Sequence, residues 1–259
     1  MQALSQGSVT IVVKAQDIAG NPASTSDSFM VDTLVNLTVG VVAGDDIINA
    51  AEAGAPMVVS GTADAADSGR IVTVTLEGTS YTTTVQSDGN WSLSIPSVDI
   101  AALADGPYTL NASLSDAAGN SISVDHTITL SAGAANLPTL TVSPVSGDGY
   151  LNASEAGSPL TLSGTSTHVE EGQMVILTLN GVTYSATVDA SGNWSTTVPV
   201  ADLNNITDGD YQVTATVSDA AGNPASDSKP LVLITDSASL PTLSVDPVTA
   251  DDIVSANES

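Results

Sequence analysis

Asp45-Asp46-Ile47-Ile48-Asn49-Ala50-Ala51-Glu52 returns as Asp148-Gly149-Tyr150-Leu151-Asn152-Ala153-Ser154-Glu155 and again as Asp251-Asp252-Ile253-Val254-Ser255-Ala256-Asn257-Glu258, each step 103 residues long. A fixed period of that size marks an array of small domains. A unit of 103 residues can bury a core of its own. What recurs is acidic as well as apolar. Carboxylates held at the same place in each copy suggest ligands for a hard cation rather than core positions.

Working outward from that stretch, a first strand is expected at Leu34–Val42, before the acidic loop. After the loop, Met57-Val58-Val59-Ser60-Gly61-Thr62 opens a second strand, and Ile71 to Leu76 alternates cleanly. Tyr81–Val85 follows, then Ser87-Asp88-Gly89-Asn90-Trp91, whose Asp-Gly pair tolerates the positive φ of a hairpin turn. Trp91, Leu93 and Ile95 fall on one face, which makes Trp91, and Trp194 in the next copy, core residues. A loop from Val98 to Gly106 has room for one helical turn. A closing hairpin then turns at Asp116-Ala117-Ala118-Gly119-Asn120; the same turn stands at Asp17–Asn21 and Asp219–Asn223. Seven short alternating strands separated by turn residues predict an all-β fold, a tandem array of immunoglobulin-like Greek-key sandwiches placed end to end. The expected divisions are 1–33, the closing hairpin of a preceding repeat; 34–136 and 137–239, two full repeats; and 240–259, the start of another. The junctions Asn136-Leu137-Pro138 and Ser239-Leu240-Pro241 look stiff, because Pro restricts its own backbone and its predecessor's.

The chain carries 29 acidic residues against three basic ones, Lys14, Arg70 and Lys229, a net charge of −26. Such a surface attracts cations and repels nucleic acid and anionic lipid headgroups. One Phe, five Tyr and two Trp leave few platforms for stacking bases. No apolar run is long enough to span a bilayer, so no membrane insertion is expected, and Met1 to Thr10 lack the pattern of a signal peptide. With no Cys, disulfides and thiolate metal sites are excluded. Nothing recommends an enzyme: His126 and His168 do not recur between repeats, and no nucleophile elbow, phosphate loop or His-based zinc motif appears.

The Asp-Ala-Ala-Gly-Asn turn after a strand opened by Asp-Gly-x-Tyr, the Gly-Asn-Trp that opens another, and the acidic Asp-x-Ile-x-Asn-Ala-x-Glu loop stand in register in each copy. Together they resemble the bacterial immunoglobulin-like repeats of giant surface adhesins and biofilm-associated proteins exported by type 1 secretion. The resemblance covers the whole chain. It implies an extracellular, cell-surface extender: a calcium-rigidified stalk carrying a distal tip, outside this window, that attaches to a host cell or an abiotic surface. The first junction departs from the pattern, since Val31-Asp32-Thr33-Leu34 lacks the Leu-Pro pair.

In a seven-strand Greek-key sandwich the first loop and the loop before the sixth strand share one pole, and the second loop and last turn share the other. At the junction between the full repeats this groups Asp45, Asp46, Asn49, Glu52, Asp99 and Asp105 of the first with Glu170, Glu171, Asp219 and Asn223 of the second, with Asn136 in the linker. Asp32 and Asp116, and Asp148, Glu155 and Asp208 of the second repeat, complete the candidate metal ligands. Calcium (Ca2+) takes six to eight oxygens, which such a set supplies. Capping is the competing role for Asp116 and Asp219, because Asp and Asn commonly close turns on backbone N–H groups; Asp45, Asp46 and Glu52 show no obvious capping role. Each extracellular-type site is expected to contribute only ~1–2 kcal/mol, so calcium would set the angle between neighbouring repeats rather than switch folding on. Two other classes stay open: repeats whose loops bind glycan or protein, and a filament subunit that adds strands through incomplete ends.

Overall fold

The computed structural model describes residues 4–236 and 241–246; the expected start of a further repeat at 240–259 otherwise lies outside the described residues. The chain divides into two compact units, Met1–Leu137 and Pro138–Ser259.

The first unit begins with a separate two-stranded hairpin, β1 (Gly7–Gln16) and β2 (Pro22–Val31). A sandwich follows, built from β3 (Ile47–Asn49), helical turn α1 (Ala50–Ala53), β4 (Met57–Thr62), β5 (Ile71–Leu76), β6 (Thr79–Thr84), β7 (Asn90–Ile95), α2 (Ser97–Ala101), β8 (Gly106–Ser115) and β9 (Ser121–Ser131). Its sheets are β3-β9-β8-β5-β6 and β4-β7. The second unit repeats the plan with β10 (Thr139–Val142), β11 (Tyr150–Asn152), β12 (Leu160–Thr167), β13 (Met174–Leu179), β14 (Val182–Thr187), β15 (Asn193–Val198), α3 (Val200–Leu203), β16 (Gly209–Ser218) and β17 (Pro224–Ile234). Here the sheets are β10-β12-β15 and β11-β17-β16-β13-β14.

The strands follow from alternation. Val72, Val74 and Leu76 of β5 and Trp91, Leu93 and Ile95 of β7 point into one core, with polar or exposed residues between them. Glu77-Gly78 and Asn180-Gly181 close β5–β6 and β13–β14 with positive φ at both positions, which matches the mirror-image turn that two-residue hairpins favour.

One expectation is corrected. The acidic stretch is not only a loop: Ile47–Asn49 and Tyr150–Asn152 form short strands parallel to β9 and β17. The first strand is accordingly split. In the first unit Leu37 makes only an isolated bridge to Ala63, whereas β10 pairs fully with β12. The chain changes sheets through left-handed backbone at Ala43, Gly44 and Asp46, and at Ser146, Gly147 and Gly149 in the second unit.

Both cores are organised on a Trp–Gly contact. Gly61 pairs with Trp91 and Gly164 with Trp194 across adjacent strands. A Cβ on Gly61 would collide with the Thr38 carbonyl oxygen and the Trp91 ring; one on Gly164 would strike Thr141 and Trp194 in the same way. Both indole N–H groups are buried without a hydrogen-bond partner among the described residues. An unpaired buried donor costs about 1–3 kcal/mol, while burying an indole recovers ~4–6 kcal/mol. Packing therefore outweighs the missing bond in each repeat.

Candidate cation-binding poles

At one pole of the first sandwich lie the acidic stretch, α2 and the start of β8. Asp45 accepts from the Ile47 N–H at 3.0 Å. Asp46 accepts from the Val42 N–H at 2.8 Å and lies 2.7 Å from His126 Nε2 on β9. Burial works to raise the Asp46 carboxyl, but the Val42 N–H and His126 outweigh it and hold it below the usual range. Asn49 caps α1 by accepting from the Ala51 and Glu52 N–H groups, and Glu52 accepts from the Asn49 N–H at 3.0 Å. This is a capping box. The expectation that these carboxylates lack a capping role is thus corrected: each first satisfies backbone donors that the sheet change exposes. Asn49→Ala should destabilise the first repeat by about 1 kcal/mol in urea unfolding.

Asp99 accepts the Tyr81 hydroxyl at 2.7 Å, and burial together with Asp99 pushes Tyr81 up to about 12. Asp105 accepts from the Ala132 and Gly133 N–H groups and from Asn136 Nδ2, which ties the end of β9 to the start of β8. The Asn136 amide, foremost, and those N–H groups keep the Asp105 carboxyl low against burial. Asp208 makes the same tether through Thr235 and Asp236. Gln6 makes it at the foot of β1, accepting from Thr33. In the second unit Asp148 accepts from the Tyr150 N–H, and Glu155 from the Asn152 N–H and the Ser146 hydroxyl.

The opposite pole of the first unit is more strained electrostatically. A 3-10 turn at Ala65–Asp67 brings Asp64 and Asp67 beside the last hairpin turn and the end of β2. Asp67 is only 6% exposed, and no donor reaches its carboxylate among the described residues. Burial pushes the Asp67 carboxyl up, and the charges of Asp116, Asp64 and Asp32 push it further, with Arg70 opposing. Asp116 is 5% exposed and accepts from the Asn120 N–H and Nδ2. Asn120 Nδ2 also donates to the Asp32 carbonyl at 3.2 Å, Asn36 donates to Asp64 at 2.9 Å, and Gln6 donates to Asp32 at 2.7 Å.

The second unit's corresponding pole is quieter. Glu170 accepts from the Ala220 N–H at 2.7 Å, and Asp219 from the Asn223 N–H and Nδ2. Glu171 is exposed. Asn136 is bonded to Asp105 within the first unit. The expected pairing of second loop with last turn is therefore present in both sandwiches. Asp64 and Asp67 were not among the expected ligands, although two acids three residues apart on one turn would have marked them. Among the described residues no three His, Cys, Asp or Glu side chains already stand at metal-binding distances. The side chains gathered around Asp67 at the first unit's pole, Asp116, Asp64 and Asp32, are carboxylates, oxygen donors of the kind a hard cation takes.

Turn carboxylates elsewhere carry a pH signature. The Asn90 N–H and amide lower Asp88, and the Asn193 and Ser191 N–H groups lower Asp189. A depressed folded value contributes stability that is present above the unfolded value of 3.8 and fades as pH falls through the folded one. Acid titration followed by NMR should therefore show both carboxyls titrating below 3.8, and Asp189→Asn should remove part of the acid-side loss.

The chain is similar to several known proteins. A structure described as a Ca2+-stabilized adhesin that helps an Antarctic bacterium reach out and bind ice is 34% identical over 97% of this chain, with a TM-score of 0.47; this chain spans 62% of its length. A second, concerning host cell surface retention of a 1.5-MDa bacterial ice-binding adhesin, is 33% identical over 90% of this chain and 75% of its own, with a TM-score of 0.45. A bacterial immunoglobulin-like domain from the M. primoryensis ice-binding adhesin is 38% identical over 37% of this chain and 95% of its own, with a TM-score of 0.29. No curated protein matches. The profile described as bacterial Ig-like domain matches twice, at residues 39–131 and 140–237, one match to each sandwich, and the chain belongs to the bacterial Ig-like domain family.

Proposed function

We propose that this chain is an extender segment of a large bacterial surface adhesin, and that calcium held at the poles of its repeats fixes the angle between successive repeats. Asp67 is the observation that carries the reading: a residue only 6% exposed, its carboxylate without a hydrogen-bond donor among the described residues and pressed by Asp116, Asp64 and Asp32. Asp32, Asp64, Asp67 and Asp116 would hold the ion. An ion would add positive charge to that of Arg70, which acts against three neighbouring carboxylates at Asp67.

The hairpin β1–β2 supports placing the site at a junction. Its ladder, Gly7↔Val31 to Gln16↔Pro22, has the register of Gly106↔Leu130 to Ser115↔Ser121 and of Gly209↔Leu233 to Ser218↔Pro224. All three hairpins close on the same Asp-x-x-Gly-Asn turn. We read β1–β2 as the closing hairpin of an earlier repeat, so Gln6 and Asp32 belong to one repeat and Asp64, Asp67 and Asp116 to the next. The acidic surface and the motif resemblance to adhesin repeats support an extracellular, cell-surface setting, with attachment and biofilm formation by a tip elsewhere in the protein.

Calorimetric titration of the full chain with Ca2+ tests this. Binding in the submillimolar to millimolar range, ~10⁻⁴–10⁻³ M, is expected, with loss of at least one site in Asp67→Asn. No heat of binding, or an unchanged isotherm in the variant, would overturn the assignment.

A further inference from the structure

Asn or Asp stands directly before Gly at five places in the sequence, and the five are not chemically alike. At Asp88-Gly89, Asp105-Gly106, Asp148-Gly149 and Asp208-Gly209 the side chain is a carboxylate held by backbone N–H groups. Asn180-Gly181, the turn between β13 and β14, is the one amide. Asn180 is exposed, and among the described residues nothing is hydrogen-bonded to its side chain. The ladder ends at Leu179↔Val182, which leaves the Gly181 N–H unbonded among those residues as well. Gly181 has no side chain, and the space that a Cβ would fill there is open, so nothing screens its nitrogen from the neighbouring amide or from water. The turn 103 positions earlier is Glu77-Gly78. Its side chain is one methylene longer and is an ionised carboxylate, a poor electrophile.

We propose that Asn180 is a site of spontaneous covalent modification, deamidation through a cyclic imide with water as the only co-reactant. The Gly181 nitrogen gives its proton to solvent and bonds to Asn180 Cγ. The Cγ–Nδ2 bond breaks, Nδ2 leaves as ammonia, and a five-membered succinimide closes. Water then adds to one of the two ring carbonyls and breaks its bond to the nitrogen; no electron is transferred. Release at Cγ gives an aspartyl residue, whereas release at the main-chain carbonyl gives an isoaspartyl residue with the chain rerouted through Cγ. The aspartyl product fits the left-handed turn, since Asp-Gly is favoured there, and only adds a charge. The isoaspartyl product lengthens a two-residue loop by one main-chain carbon, and such a loop sets the register of the strands it joins. The closed end of β13–β14 is therefore what modification loosens. At Glu77 the same attack would need a six-membered ring and the departure of an oxide, so the two repeats age unequally.

Incubation of the full chain at neutral and mildly alkaline pH, followed by pepsin digestion and peptide mass spectrometry, tests it. Amide loss at Asn180 should be at least ~10-fold faster than at Asn90, Asn120 or Asn223, because each of those amides first has to break a hydrogen bond to a carboxylate. The loss should quicken as pH rises, since the attacking nitrogen must shed its proton. Isoaspartyl methyltransferase should label the aged protein, and Asn180→Gln should abolish that label. Glu77→Asn should install a second site in the first repeat, whose turn has the same left-handed backbone. Amide loss at Asn180 no faster than at the three bonded residues, loss that appears only in urea, or a label that survives Asn180→Gln would overturn the proposal.

Discussion

Gly164→Ala should destabilise the second repeat by about 3 kcal/mol, near the upper end of what overpacking costs. The added methyl would meet the Thr141 carbonyl oxygen and the Trp194 ring, so neither neighbour gives way without moving a strand or the largest side chain of the core. Gly61→Ala should do the same to the first repeat through Thr38 and Trp91. The control is Gly54→Ala, where the new Cβ would meet only α1 carbonyl oxygens at 3.4 and 3.6 Å and the backbone is right-handed. Urea unfolding should place both core variants well below wild type and the control within about 0.5 kcal/mol of it. Equal midpoints for all three would show that the Trp–Gly contact does not organise the core.

Removing calcium is expected to have the second large effect. An ion at a hundredfold excess over its dissociation constant stabilises the form that binds it by ~2.7 kcal/mol; weaker extracellular-type sites give ~1–2 kcal/mol. In EGTA the first repeat should lose that increment and keep its β-structure, because its core rests on Trp91, Val72, Val74, Leu110 and their neighbours rather than on the pole. Asp67→Asn carries a distinctive sign. With one charge removed from the cluster, the variant should be more stable than wild type in EGTA and less stable than wild type in calcium. Thermal unfolding of both proteins in both buffers reads this crossing directly. Parallel losses in the two buffers would mean that Asp67 is merely structural.

Much of the architecture was legible in the sequence because it rests on local rules. Alternation marked β5 and β7, Asp-Gly and Asp-x-x-Gly-Asn marked turns, and the 103-residue period supplied the array. The meeting of second loop and last turn also followed from Greek-key topology and is seen in the Glu170 bond to Ala220. The acidic stretch was read less well. Asn49-x-x-Glu52 is itself the pattern of a capping box, but the recurrence of its charges pointed toward ligands and hid the cap. A three-residue parallel strand such as β3 has too little sequence to alternate, so its pairing with β9 could come only from tertiary structure. The same is true of His126 and Asp46, 80 residues apart in sequence. Asp67 was missed because its importance lies in burial, which no residue count reveals, and Asp64, half-buried and bonded to Asn36, was missed with it.

Small-angle X-ray scattering of the full chain, in calcium and after EGTA, tests most directly whether bound ions stiffen a string of anionic domains. The account predicts a longer maximum dimension and a narrower distance distribution in calcium, giving way to a broader one after chelation, with the far-ultraviolet circular dichroism of a β-fold unchanged. Superimposable scattering curves from a chain that demonstrably binds the ion would contradict it.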